Sequence, residues 1–161
     1  MLFRSLRIGY LLAPPGMVDR LAAAICSTVW MASPVAAEIA TRWIADGSAD
    51  ALVTWKCQEA AARLDLARKA LQPHDFQAHA CGQHLWLRLP APWRSGDFAA
   101  EARRRGVLVT PAESFATDVD VPLAAVRVCL GTPATRTDLV RGLTKLAELL
   151  SGVPAAATPV V

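Results

Sequence analysis

The sequence changes character at Pro73, and this change limits the folds that are open to the chain. Before Pro73, apolar residues recur at helical spacing and the segment boundaries are marked. Pro14-Pro15-Gly16 predicts a turn, Ser33-Pro34 a helix start and Asp46-Gly47 a helix end. After Pro73, short alternating segments are separated by turn residues. Helices followed by a small sheet indicate an α+β fold.

An opening strand over Leu6–Leu12 has no partner nearby in sequence. The further predicted elements are helices over Val18–Trp30, Pro34–Asp46 and Ser48–Leu71, strands over Phe76–Ala80 and Leu85–Leu89, a short helix over Asp97–Arg105 that Ser95 caps and Gly106 ends, strands over Val107–Val109 and Ala125–Leu130, and a final helix after Thr135-x-x-Asp138. The apolar stripe of the long helix is expected at Leu52, Trp55, Ala62 and Leu66. We expect a short mixed sheet with two helices after Pro73.

Composition and charge exclude several classes of protein. The chain has 161 residues, 53% of them hydrophobic, which is enough to fill one ordinary core. A net charge of +3 is too small to indicate nucleic-acid binding by itself. The longest uncharged run, Leu21–Ala37, is shorter than a membrane span of roughly 20 residues, and no signal-peptide cleavage pattern follows the first apolar stretch. The four cysteines form no C-x-x-C motif. We therefore expect a cytoplasmic protein with reduced thiols and no membrane contact.

Two arginines are candidate binding residues, and the sequence contains no recognisable catalytic set. His74, His79 and His84 recur at intervals of five, which fits neither a helix face nor a strand face, so no metal site is predicted. Arg7 and Arg127 each lie inside an apolar, strand-like segment. A guanidinium there suits bidentate capture of a carboxylate or phosphate. An exposed arginine on the polar face of a strand explains the pattern equally well.

Four segments, in order, resemble one known family. The segments are Leu6-Arg7-Ile8-Gly9-Tyr10-Leu11-Leu12-Ala13-Pro14, Cys81-Gly82-Gln83-His84-Leu85-Trp86-Leu87-Arg88-Leu89-Pro90, Gly106-Val107-Leu108-Val109-Thr110-Pro111-Ala112-Glu113-Ser114-Phe115 and Ala125-Val126-Arg127-Val128. They are similar to the class I/II aminotransferase-like proteins of fold type I, which bind pyridoxal 5'-phosphate (PLP). The residues of these segments are most similar to those of the MocR-type regulators of the GntR family, which join a winged-helix DNA-binding domain to an aminotransferase-like sensor. Free aminotransferases of the 2-aminoadipate or kynurenine type share much of the pattern.

The resemblance implies roles for both arginines. Arg7 corresponds to the arginine that holds the PLP phosphate, and Arg127 to the arginine that binds the α-carboxylate of the substrate. The family's Schiff-base lysine would fall immediately before Met1, so the resemblance implies no catalytic residue in this chain. PLP would then bind in the intact parent and weakly or not at all here, and we expect no transamination by this chain alone.

The resemblance also implies a domain organisation and partners. Residues 1–72 correspond to the end of the PLP-binding large domain, including its last strand, and to long interdomain helices. Residues 73–152 correspond to the small C-terminal domain, and residues 153–161 to a disordered tail. The predicted function is a truncated PLP- and amino-acid-binding domain, the effector-sensing part of a MocR-like regulator. Its predicted partners are an amino-acid ligand, a second copy in the full-length parent, and DNA only through an absent N-terminal winged-helix domain. The alternatives are a fragment of a free aminotransferase and a ligand-free dimerisation or interaction module.

Overall fold

The computed structural model describes residues 6–117 and 124–152 of the chain. They form two compact units that divide between Trp55 and Lys56. The helices are α1 (Val18–Val29), α2 (Pro34–Ala45), α3 (Ser48–Leu71), α4 (Ser95–Arg104) and α5 (Arg136–Leu150), and the strands are β1 (Phe76–Ala78), β2 (His84–Arg88), β3 (Thr110–Pro111) and β4 (Ala125–Cys129). The predicted tail over 153–161 lies outside the described residues. None of the helices described is long and apolar enough to cross a membrane.

The helix boundaries of the first unit follow the marked positions of the sequence. Ser33 caps α2, because its side chain accepts a hydrogen bond of 3.4 Å from the N–H of Ala36. Gly47, at φ +80°, separates α2 from α3. Asp46 Oδ1 accepts the N–H of Ser48 at 2.9 Å, and this bond holds the pKa of Asp46 below its usual value. The predicted breaks at Ser33 and at Asp46-Gly47 are therefore confirmed.

The expected opening strand is reduced to a single bridge residue at Ile8. Leu6 and Arg7 form a turn instead, and Arg7 has φ +55°, which an extended strand does not allow. Ile8 nevertheless points inward, as the alternation predicts. It is 7% exposed and forms a small core with Ala40 and Ala49.

The face of α3 that is buried in the second unit differs from the predicted stripe. The buried residues are Ala60, Leu64, Ala67 and Leu71, which repeat at spacings of four, three and four and so lie on one side of the helix. Trp55, predicted on the stripe, is 60% exposed. Leu66, also predicted on the stripe, is partly buried and packs against this core.

The second unit is built on a four-stranded sheet of order β1-β2-β4-β3. We expected a mixed sheet, but all three pairings are antiparallel. A short loop joins β1 to β2, which favours a hairpin, and β2 and β3 both run opposite to β4. One face of the sheet is buried through Leu85, Leu87, Val126 and Val128, which join a core with side chains from α3, α4 and α5.

The end of α4 explains why β3 starts later than predicted. Gly106 adopts φ +79°, its N–H bonds to Arg103 O at 2.9 Å, and the N–H of Val107 bonds to Ala102 O at 2.9 Å. This pair of bonds is a Schellman motif, which ends the helix and also uses the backbone of Val107. The strand predicted over Val107–Val109 is consequently absent, and pairing begins at Thr110.

Candidate functional site

The site centres on Arg127 in β4. Its neighbours Val126 and Val128 point into the core, so the alternation of the strand places Arg127 on the opposite face of the sheet. The strand register sets Trp86 of β2 on one side of Arg127 and Thr110 of β3 on the other. The sheet therefore holds the guanidinium between two neighbouring strands.

Three contacts define the surroundings of this guanidinium. Nη2 of Arg127 lies 3.4 Å from Thr110 Oγ1, close to the limit for a hydrogen bond. Its Cζ lies 4.7 Å from the ring centroid of Phe115, a cation–π distance. Its Nε is buried and has no hydrogen-bond partner among the residues described. A buried donor without a partner is costly, and a carboxylate would supply the missing acceptor in bidentate geometry.

Phe115 belongs to a small aromatic cluster beside Arg127. It lies at the end of a 3-10 helix, Ala112–Phe115 (the 112–115 turn), and its ring meets Trp86 edge-on, with centroids 5.8 Å apart and planes at 68°. Phe115 is 46% exposed. One part of its surface therefore supports the arginine while the rest remains accessible.

A cavity of about 730 Å³ in the second unit includes Arg127 and Thr110 in its wall. Two more cations, Arg141 and Lys145, also line it. Arg141 pairs with Asp138 at 2.5 Å, and Lys145 donates to the backbone oxygen of Arg105 at 2.8 Å. The charges on α5 have these partners, whereas Arg127 has a buried donor, Nε, without a partner among the residues described.

A loop between β4 and α5, residues 130–135, forms another part of this wall through Thr132, Pro133 and Ala134. Arg63 of α3 holds the loop in place. Its Nη1 donates to the backbone oxygens of Leu130 and Pro133, each at 2.8 Å. The long helix therefore fixes the position of the cavity wall.

Arg63 is itself held by an acidic partner. Its Nε donates to Glu59 at 2.7 Å, and Glu59 also pairs with Arg136 at the start of α5. Arg136 first, and then Arg63, lower the pKa of Glu59 to about 2. Glu59 consequently stays ionised throughout the physiological range and bridges the two arginines.

Arg7, the other predicted site residue, lies in the first unit. Its side chain is exposed and its φ is +55°, a backbone conformation that costs a residue other than glycine roughly 1–2 kcal/mol. Local strain of this kind is concentrated at functional sites. An exposed guanidinium held in a turn is chemically suited to an oxyanion such as a phosphate.

Comparison with known proteins decides the fold. Kynurenine aminotransferase from Pyrococcus horikoshii superposes with a TM-score of 0.81 at 22% identity, over 93% of this chain and 38% of that protein. LysN, the α-aminoadipate aminotransferase of Thermus thermophilus, superposes with a TM-score of 0.78 at 18% identity, over 93% of this chain and 39% of LysN. The fold is that of part of a PLP-dependent fold type I aminotransferase. The resemblance expected from the four motifs is confirmed at the level of the fold.

A relative in sequence adds a second finding. The uncharacterized HTH-type transcriptional regulator YdeF of Bacillus subtilis (strain 168) is 28% identical over 146 residues, which are 91% of this chain and 32% of that regulator. The chain thus spans about a third of the length of this relative and less than two fifths of either aminotransferase. No protein-family model matches the chain.

The aminotransferase fold brings together residues whose contacts the sequence did not predict. Thr110 and Phe115 belong to the third resembling segment and Trp86 to the second, and all three surround Arg127. The motifs could have pointed to them, because both segments supply neighbours of the arginine. Arg63 had no such signal, since its backbone partners are 67 and 70 residues away in sequence.

The histidines and cysteines have ordinary surroundings in this fold. Nδ1 of His79 accepts the N–H of Cys81 at 3.2 Å, a local turn contact. The four cysteines are free thiols, and the neighbouring Cys81 raises the pKa of Cys57. Within residues 6–117 and 124–152, no group of three or more His, Cys, Asp and Glu side chains is placed to hold a metal ion.

Proposed function

We propose that this chain is the effector-sensing part of a MocR-like transcriptional regulator, in which Arg127 binds the α-carboxylate of an amino acid. The buried Nε of Arg127, which lacks a partner among the described residues, carries this proposal. A carboxylate placed edge-on to the guanidinium would satisfy Nε and one Nη together. The role in a regulator is supported by the HTH-type relative, and the binding of a carboxylate by the aminotransferase fold.

We propose that the guanidinium of Arg7 binds the phosphate of PLP. Its exposed guanidinium and left-handed turn suit a dianionic group. The P. horikoshii aminotransferase was solved with PMP, and the T. thermophilus enzyme with N-(5'-phosphopyridoxyl)-L-leucine. PLP, when bound, supplies an aldehyde that reacts with amino groups and a ring that withdraws electrons. Arg7 would anchor the phosphate of that group by charge. We propose that this chain contains no catalytic residue and does not carry out transamination.

The proposal assigns each partner to a different part of the protein. The amino acid would be bound at Arg127, and DNA would be contacted by the helix-turn-helix part of a whole regulator in the cytoplasm. Exposed apolar side chains of the first unit, including Leu12, Val29 and Trp30, are suited to a second copy of the protein, because such groups mark contact surfaces. Light scattering tests this: a mass of two copies that falls to one copy for Val29→Asp supports it, and a monomer at all concentrations refutes it.

The binding proposal is tested with N-(5'-phosphopyridoxyl)-L-leucine, the compound bound in the LysN structure, and its decarboxylated analogue. Calorimetry would measure the Kd of both for the 161-residue chain. We expect Arg127→Gln to weaken binding of the leucine compound by about 10- to 150-fold, the range for a charged hydrogen bond, and to leave the analogue unaffected. In a separate titration with PLP alone, Arg7→Ala should weaken the binding of PLP, because its phosphate is the group that we propose Arg7 to hold.

A matched control is Arg88→Gln. Arg88 is an exposed arginine of β2 that pairs with Asp75 at 3.3 Å, so its loss should change neither Kd. Equal losses of the two compounds in Arg127→Gln would show that Arg127 does not bind the carboxylate. Absence of binding of either compound to the unsubstituted chain would refute ligand binding here and favour the interaction-module alternative.

A further inference from the structure

Glu113 lies in the 112–115 turn, two residues before the phenylalanine that supports Arg127. Its Oε1 accepts a hydrogen bond from the hydroxyl of Ser95 at the start of α4. Ser95 is fully buried, with 0% of its surface exposed. The sequence predicts Ser95 as a helix cap, but it is the first residue of α4 and makes no cap hydrogen bond. Its hydroxyl therefore has a different role, which is to bond the 112–115 turn.

Within residues 6–117 and 124–152, the Ser95–Glu113 bond is the side-chain hydrogen bond that the 112–115 turn makes to another element. Ala112 is buried, whereas Glu113, Ser114 and Phe115 are exposed. A four-residue 3-10 helix has poor intrinsic stability. The position of its last residue, Phe115, is set by the contact with Trp86 together with the anchors at the start of the turn, namely the pairing of Pro111 in β3, buried Ala112 and the Ser95–Glu113 hydrogen bond.

The geometry points to Glu113 as a positioning residue for Arg127. The Ser95–Glu113 bond fixes the 112–115 turn, the turn seats the ring of Phe115 on one face of the guanidinium, and Thr110 meets Nη2. With one face covered by the ring, the guanidinium plane is fixed and Nε is held in its buried position. The nature of that acceptor rests on the proposed function, but the positioning itself does not.

The test observes the guanidinium directly by NMR. The Nε–Hε resonance of Arg127, assigned by its loss in Arg127→Lys, should be shifted upfield by the ring of Phe115 and should exchange slowly with water because Nε is buried. In Glu113→Ala and in Ser95→Ala, both the ring-current shift and the slow exchange should be lost. Glu113→Gln keeps an oxygen acceptor for Ser95 and should retain the unsubstituted spectrum.

Binding of acetate, as the simplest carboxylate probe, gives a second readout. Its Kd should rise roughly two- to fivefold in Glu113→Ala, the fold-change expected for losing a half-exposed cation–π contact. The double variant with Ser95→Ala should be no weaker than either single variant, because both act through one bond. Glu148→Ala, an exposed glutamate on α5, is the matched control and should change neither readout.

The outcomes separate the two proposals. An Arg127 resonance that stays in place in folded Glu113→Ala and Ser95→Ala overturns the positioning role, even if acetate binds. A resonance that moves as expected while acetate fails to bind supports the positioning role and contradicts the proposed function. Should Glu113→Ala fail to fold, Ser95→Ala compared with Glu113→Gln decides the question.

Discussion

Replacement of Arg63 by leucine tests how the long helix holds the cavity wall. The leucine keeps a similar helix propensity and an apolar stem but cannot donate to the backbone oxygens of Leu130 and Pro133. The side chain of Arg63 is only 12% exposed, so water replaces these bonds incompletely. We therefore expect a stability loss larger than for a surface arginine.

The magnitude follows from the two backbone bonds. A hydrogen bond to a charged donor contributes about 1.5–3 kcal/mol. Partial replacement by water at Pro133, which is half-buried, lowers the sum, so we expect Arg63→Leu to cost about 2–4 kcal/mol. In a chain of this size that corresponds to a fall in Tm of roughly 5–15 °C.

The assay is urea denaturation followed by far-UV circular dichroism, with hydrogen exchange at residues 130–135 as a local readout. The control is Arg68→Leu on the same helix. Arg68 is 57% exposed and pairs with Asp65, so its replacement should cost less than about 1 kcal/mol. Equal unfolding midpoints for the two variants, with unchanged m-values, would refute the reasoning that Arg63 fixes the loop.

Three further predictions concern pH, backbone and core. The folded-state pKa of Glu59, about 2, lies below its ordinary value of 4.5. The stability that ionised Glu59 contributes is therefore present above about pH 4.5 and is lost as the pH falls toward 2. A plot of Tm against pH should be flatter in this range for Glu59→Gln than for the unsubstituted chain, and parallel curves would contradict this. Gly106→Ala, at φ +79°, should lower the free energy of unfolding by about 1–2 kcal/mol. Gly96→Ala in α4, where a Cβ meets nothing within 4 Å, should raise it by about 0.5–1 kcal/mol. Thermal melts of the two variants that shift in the same direction would disprove the backbone argument. Phe98→Ala empties a fully buried position and should cost about 3–5 kcal/mol in urea unfolding, and a loss under about 1 kcal/mol would mean that the core does not depend on this ring.

Local signals in the sequence predicted the ends of elements well. Ser33 caps α2, Thr135 accepts the N–H of Asp138 at 3.0 Å at the start of α5, and Gly106 ends α4. Each of these effects acts within one helical turn, so the residue type and its immediate neighbours are sufficient. The α+β order also followed from the change in periodicity at Pro73.

Long-range features of the fold could not be predicted in the same way. The buried face of α3 depends on which side meets the sheet, so Trp55 was wrongly expected on it, while Leu66 of the same predicted stripe does pack against the core. The antiparallel direction of all three strand pairs was also missed, because short alternating segments do not encode strand direction. For the site, the resemblance selected Arg127, but the bond between Ser95 and Glu113 joins residues 18 positions apart and has no local pattern.

The alternation of β4 has a consequence for how this sequence can change. Val126 and Val128 face the core while Arg127 faces the other side, so one added or deleted residue in the strand would move the arginine inward and a valine outward. Such a change would damage folding and binding in a single step. Substitution of Arg127 itself would leave the core intact. We therefore expect the length of this segment to vary less among descendants of this gene than the identity of the residue at position 127.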